Sequence, residues 1–144
     1  ARDRLGIKPL YYAWLDDDTL IFGSELKALM VHPGLKRDIE PQAVEQYFAY
    51  GYIPDPHTIL RQARKLPPGF CLLLSNGERS AEPRRYWDPE FAADGPADPD
   101  EAAEELTERL REAVRIRMVA EVPLGAYLSG GVDSSGVVAM MAGL

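Results

Sequence analysis

Hydrophobic positions fall into short β-rich runs over the first part of the chain and into helical spacing in the last third. The stretch PLYYAWLDDDTLIFGSE sets two such runs on either side of Asp16-Asp17-Asp18, which predicts a hairpin with a polar turn. ELKALMVHPG predicts a short helix from about Glu25, stopped by Pro33-Gly34. In IEPQAVEQYFAYGYIP, Pro41 stands where a first helical residue needs no N–H. Val44, Tyr47 and Phe48 share one face of that helix, Ile39 and Val44 are spaced for a hydrophobic staple, and Gly51 and Pro54 end it. After an irregular, proline-bearing segment, LPPGFCLLLSNGERSAEPRRYW resumes β structure around Asn76-Gly77. Both residues of that pair accept positive φ, as a type I′ hairpin requires. Residues 5–87 thus read as hairpins with small helices.

The pattern then changes. Residues 88–98 are rich in Asp, Pro, Ala and Gly and read as a linker. A helix follows, with Asp98 as its cap, Pro99 in the first turn and Glu101 where a capping box wants a carboxylate. Acids (Asp100, Glu101, Glu104, Glu105) crowd its start and arginines (109, 111, 115, 117) its second half, in the order the helix dipole favours. Leu106, Leu110, Ala113 and Val114 form the stripe expected to be buried. This charge run reads as a solvated face. Beyond Pro123, LGAYLS predicts a short apolar strand, GGVDS a turn, and SSGVVAMMAGL a second helix.

Composition narrows the function classes. The 144 residues suit one ordinary domain and not two complete ones. A formal charge of −7 argues against general nucleic-acid binding, which needs a basic surface. Cys71 is the single cysteine, so an intrachain disulfide and a Cys-rich metal cluster are excluded. No apolar run approaches the roughly 18 residues of a membrane span, and no signal-like start is present. A cytoplasmic protein is the expectation. The chain opens on Ala1 without an initiator methionine, and the natural protein is expected to begin earlier.

The chemistry concentrates in AYLSGGVDSSGVV, residues 126–138. A glycine-rich turn from strand to helix binds phosphate because the first helical N–H groups lack partners and point at the ligand with the positive end of the dipole. Ser129, Ser134 and Ser135 add hydroxyl donors. Asp133 would repel a phosphate unless Mg²⁺ bridges the two. The loop is neither a P-loop, since no G-x-x-x-x-G-K-[ST] is present, nor a dinucleotide fingerprint, since Gly136 comes five after Gly131. The bland alternative is a tight turn in which Gly130-Gly131 only relieves sterics.

SGGVDSS resembles the pyrophosphate-binding loop of the ATP pyrophosphatases, which include asparagine, GMP, NAD and argininosuccinate synthetases. Upstream, RDRLGIKPLYY, FGSELKALMVHP, YFAYGYIPDPHTI and KLPPGFCLLL, followed by Trp87, resemble the later part of the class II glutaminase domain of glutamine-hydrolysing asparagine synthetases. EVPLGAYLSGGVDSS is similar to the opening of their synthetase domain. The resemblance implies an α+β region followed by an α/β one. The first, residues 1–87, is the C-terminal part of an Ntn-type glutaminase sandwich, and residues 88–98 are a linker. The last, residues 99–144, is the first helix–strand–PP-loop–helix of a Rossmann-like ATP pyrophosphatase domain, cut short.

It further implies a ligase that adenylates aspartate with ATP and Mg²⁺ and amidates it with ammonia from glutamine. Ser129, Gly130, Gly131, Asp133 and Ser134 match the loop that holds the pyrophosphate portion of ATP, with Asp133 contacting Mg²⁺ through it. Tyr127 and Leu128 match positions near the adenine, although one family pattern has Leu at the place of Tyr127. A relative using the same ATP chemistry on another carboxylate, an amidotransferase or a β-lactam synthetase, shares the visible pattern. The family's glutaminase nucleophile is a cysteine at the mature N-terminus, so no catalytic residue is assigned in this chain. Cys71 reads as a core residue, His32 and His57 as surface residues, and Arg2 and Asp3 as structural. Small-molecule substrates (ATP, aspartate, glutamine) are the expected partners, without nucleic acid or membrane, and a homodimer of the full-length protein is left open. Turnover by these residues alone is not expected, and the tail VVAMMAGL should lie partly exposed because one strand cannot cover it.

Overall fold

A computed structural model describes residues 1–75, 81–92, 95–96 and 98–143. The Asn76-Gly77 hairpin lies outside the described residues. The chain divides into two compact units, Ala1–Glu90 and Phe91–Leu144.

In the first unit, β1 (Tyr11–Trp14) and β2 (Leu20–Gly23) form the hairpin predicted around Asp16-Asp17-Asp18. They pair antiparallel, with Tyr12 opposite Phe22 and Trp14 opposite Leu20. Asp18 takes φ +63°, a left-handed conformation that Asp tolerates better than most residues. The short helix α1 (Leu26–Leu29) follows, then α2 (Pro41–Tyr50), which starts on its proline and ends on Gly51 at φ +77°. Strand β3 (Ala63–Lys65) completes a three-stranded antiparallel sheet of order β2-β1-β3. Strands β4 (Phe70–Cys71) and β5 (Arg84–Arg85) form a separate two-stranded ladder, much shorter than the run FCLLL suggests.

Side chains alternate across a strand, so the two sheet faces differ in what covers them. Ala13, Leu15, Leu29, Leu35, Leu60 and Ala63 make a buried core on one face, with Tyr11 and Ile21 packed against it. On the other, Leu10, Tyr12, Leu20, Phe22, Leu66 and Leu72 line a cavity of about 310 Å³. Phe22 is 71% exposed there. Both faces of this sheet carry apolar side chains; the second also carries Arg64 of β3, opposite Tyr12, and is only partly covered.

Helix α2 corrects the expected apolar face. Its buried residue is Ala43, whereas Tyr47 and Phe48 are exposed and meet edge to face, with ring centroids 6.0 Å apart. Ile39, the other half of the expected staple with Val44, is exposed and bridges to Leu60 instead.

Arg2 ties the first unit together over long sequence separations. Its guanidinium donates to the carbonyls of Lys8 (3.1 Å), Gly6 (3.1 Å) and Leu66 (2.7 Å) and to Asp55 Oδ2 (2.6 Å). Its backbone N–H donates to the Phe70 carbonyl, and its own carbonyl accepts from the Tyr86 hydroxyl at 2.6 Å. The side chains of Arg2 and Asp55 are 10% and 27% exposed, so losing either partner breaks a largely desolvated pair, with Asp55 left to Lys65 Nζ at 3.6 Å and Arg2 to its three carbonyls. Arg2→Met is expected to lower unfolding stability by about 2 kcal/mol. Combining it with Asp55→Asn should cost less than the sum of the single losses. Urea unfolding followed by tryptophan fluorescence checks this, since Trp14 and Trp87 both lie in this unit. Additive losses would show that the pair is not coupled.

Asp3 acts beside it. Its carboxylate accepts from the backbone N–H groups of Lys8 (3.1 Å) and Ile7 (2.9 Å), and these bonds, Lys8 first, hold its pKa below the ordinary aspartate value. The unfolded chain therefore binds the proton more readily than the folded one. Asp3 contributes stability that is complete above its unfolded pKa of about 3.9 and is lost as pH falls through the lower folded value. Asp3→Asn should flatten the acid limb of the stability–pH curve below about pH 4 and leave its slope near neutrality unchanged. An unaltered acid limb in urea titrations at stepped pH would refute this.

In the second unit, α3 (Pro99–Arg115) begins as expected, with Asp98 Oδ1 accepting from the Asp100 N–H at 2.8 Å. Its arginines pair within the helix, Arg109 with Glu105, Arg111 with Glu108 and Arg115 with Glu112. Such exposed pairs each add little stability, because water and salt screen them. The expected stripe is only partly buried, because Val114 is covered while Leu106 and Leu110 are 57% and 40% exposed. Helix α4 (Val132–Ala142) packs against α3 and contains no buried residue, as expected for the tail.

The segment LGAYLS, predicted as a strand, is not one. A strand exists by virtue of the neighbour its N–H and C=O groups pair with. No strand is described in the second unit.

Candidate functional site

Residues 127–135 run from an exposed segment into the first turn of α4. Tyr127 and Leu128 are exposed, Tyr127 completely. Gly130 takes φ +82°, with open space where a Cβ would stand. An L side chain there would cost about 1–2 kcal/mol. Gly131 returns to extended backbone (φ −79°, ψ 157°) and caps α4, which starts at Val132, two residues earlier than the sequence suggests. Asp133 and Ser134 therefore sit inside the first helical turn.

The hydroxyls knit the turn to itself. Ser129 Oγ and Ser134 Oγ lie 2.8 Å apart, and the Gly131 N–H reaches Ser129 Oγ at 3.4 Å. Ser134 Oγ and Ser135 Oγ both donate to the Gly131 carbonyl, at 3.0 and 2.8 Å, and the Ser135 N–H also donates to it, at 3.1 Å. Each hydroxyl has one proton. With the Ser134 proton on Gly131, Ser129 is the donor of the Ser129–Ser134 bond.

Ser129, Gly131, Ser134 and Ser135 are thus brought together, with Gly130 making the bend. Tyr127 and Leu128 take no part in these hydrogen bonds. Of the serine donors read from the sequence, Ser134 and Ser135 serve the Gly131 carbonyl here, and Ser129 serves Ser134.

What the turn leaves available is backbone. The N–H groups of Val132, Asp133 and Ser134 have no acceptor among the described residues, and they stand at the positive end of an eleven-residue helix. The Asp133 carboxylate is exposed in the same turn. Among the described residues no three His, Cys, Asp or Glu side chains gather to hold a metal ion. A single carboxylate beside free N–H donors fits a divalent cation held chiefly by phosphate oxygens and water, with one protein ligand.

The first unit shows no nucleophile–base pair among its described residues. Cys71 is half-buried in β4 and pairs through its backbone with Arg84. His57 is half-buried, its Nδ1 within 3.1 Å of the Gln46 amide, so it is not the surface residue expected. His32 is exposed, and its Nδ1 accepts from the Gly34 N–H at 3.1 Å.

Comparison with known proteins gives these features a context. The glutamine amidotransferase domain family matches residues 1–87 and the asparagine synthase family matches residues 105–144. A provisionally named glutamine-hydrolysing asparagine synthetase 2 from Methanocaldococcus jannaschii is 42% identical over 98% of this chain and 27% of its own length. Asparagine synthetase 1 (glutamine-hydrolysing) of Bacillus subtilis is 33% identical over 97% of the chain and 22% of its own. The amidase chry2 of Gibberella zeae is 39% identical over all of the chain and 21% of its own. The class is therefore a glutamine amidotransferase domain continued, in one chain, by asparagine synthase sequence. The chain belongs to the glutamine amidotransferase domain family, and its residues 105–144 match the asparagine synthase family. It spans about a quarter of the length of the curated relatives it matches.

Proposed function

We propose that the protein acts as a glutamine-dependent asparagine synthetase, a ligase that uses ATP. The observation that carries this reading is the turn of residues 129–134. Three unpartnered N–H groups and an exposed carboxylate share one helix start, in sequence that matches the asparagine synthase family. The β-carboxylate of aspartate attacks the α-phosphorus of ATP and pyrophosphate leaves, giving a mixed anhydride. Ammonia released from glutamine attacks the acyl carbon; AMP departs with the bonding electrons, and the nitrogen loses a proton to give asparagine.

In this scheme Ser129, Gly130, Gly131, Asp133 and Ser134 hold the β- and γ-phosphates. The N–H groups of 132–134 stabilise the charge that grows on the leaving pyrophosphate. Bound Mg²⁺ would neutralise the same oxygens, with Asp133 as its protein contact. Ser129 and Ser134 can turn their hydroxyls to phosphate oxygens at the cost of two exposed hydrogen bonds, Ser129 to Ser134 and Ser134 to the Gly131 carbonyl. Tyr127 and Leu128, exposed beside the turn, offer apolar surface for the adenine.

The finer architecture belongs to the same proposal. A sheet with apolar side chains on both faces suits the layered, Ntn-type sandwich of a glutaminase, where each face packs on another layer. Residues 1–87 would be its C-terminal part, 88–98 the linker, and 99–144 the opening of a Rossmann-like ATP pyrophosphatase domain, with LGAYLS becoming a strand once neighbours pair with it. Among the described residues no helix is long and apolar enough to cross a membrane, which accords with a cytoplasmic enzyme of small-molecule metabolism.

A second reading keeps the ATP chemistry and changes the acceptor carboxylate. Its support is that chry2 and the amidase chyE of Penicillium rubens are 39% and 34% identical to this chain, as similar as the Bacillus subtilis synthetase. Product analysis on a protein of the relatives' length carrying this sequence separates the two. Supplied with ATP, glutamine and aspartate, it should form asparagine, glutamate, AMP and pyrophosphate in equal amounts. AMP formation with another carboxylate only would favour the second reading, and ADP with phosphate would refute both.

A further inference from the structure

We draw no further inference here: the strongest candidate, the exposed aromatic patch at the C-terminal end of α2 formed by Tyr47, Phe48, Tyr50 and Tyr52, carries nothing because nothing in the structure shows what covers it.

Discussion

Replacing Asp133 with alanine is expected to lower kcat/KM for ammonia-dependent amidation by about 10²–10³-fold, the usual cost of removing one group that stabilises developing charge. The physical case rests on position. Asp133 lies in the first turn of α4, where N–H groups attract phosphate and a bare carboxylate would repel it. A carboxylate there assists phosphate binding only by holding a cation against the phosphates. Its removal should therefore weaken the Mg²⁺ dependence of the synthetase step, while glutamine hydrolysis, which belongs to the amidotransferase part, stays within a few-fold of the parent. Asp133 is exposed and is not the cap of its helix, so the variant should fold. Unchanged amidation kinetics would reduce Gly130-Gly131 to an ordinary turn.

The largest stability effect is expected at Gly69. Its φ is +70°, and a Cβ placed there would stand 2.5 Å from the carbonyl oxygen of Trp87. The left-handed backbone alone costs an L-residue about 1–2 kcal/mol. The contact adds to this because the obstructing atom is backbone, which cannot swing aside. That backbone is also fixed, since the Gly69 carbonyl accepts from the N–H groups of Tyr86 (2.8 Å) and Trp87 (3.2 Å). Gly69→Ala should cost about 3–4 kcal/mol in total, the upper part of the range for single substitutions. Gly51→Ala supplies the control, since Gly51 has φ +77° with nothing within 4 Å of where an alanine methyl would stand. It should cost only about 1 kcal/mol. Urea unfolding of both variants measures the difference, and equal losses would show that the Trp87 carbonyl yields freely.

Local rules were readable where local chemistry decides. Asp16-Asp17-Asp18 turn the first hairpin, Pro41 and Gly51 bound α2, and Asp98 caps α3, each through groups a few residues apart. What failed were statements about covering. Val44, Tyr47 and Phe48 share a helical face by spacing, yet the residue of α2 that is buried is Ala43. Leu106 and Leu110 line up with Val114, but only Val114 of the three is buried. LGAYLS has the composition of a strand but no partner strand among the described residues, so composition could not make it one. Arg2 shows the converse, since its contacts reach Asp55, Leu66 and Tyr86 across more than fifty residues and leave no local mark.

For the candidate site, the residue types and their order were legible in SGGVDSS itself. The structure added that the serine hydroxyls bond within the turn and that the helix begins at Val132, which leaves backbone N–H groups as its free donors.

Isotope exchange shows whether this turn holds pyrophosphate during carboxylate adenylation. Labelled pyrophosphate is supplied with ATP, Mg²⁺ and aspartate, without glutamine or ammonia, to a protein of the relatives' length carrying this sequence. Label should enter ATP only when aspartate is present, and about 10²–10³-fold more slowly in the Asp133→Ala variant. Nucleotide turnover to ADP without any exchange, whatever carboxylate is offered, would contradict that role.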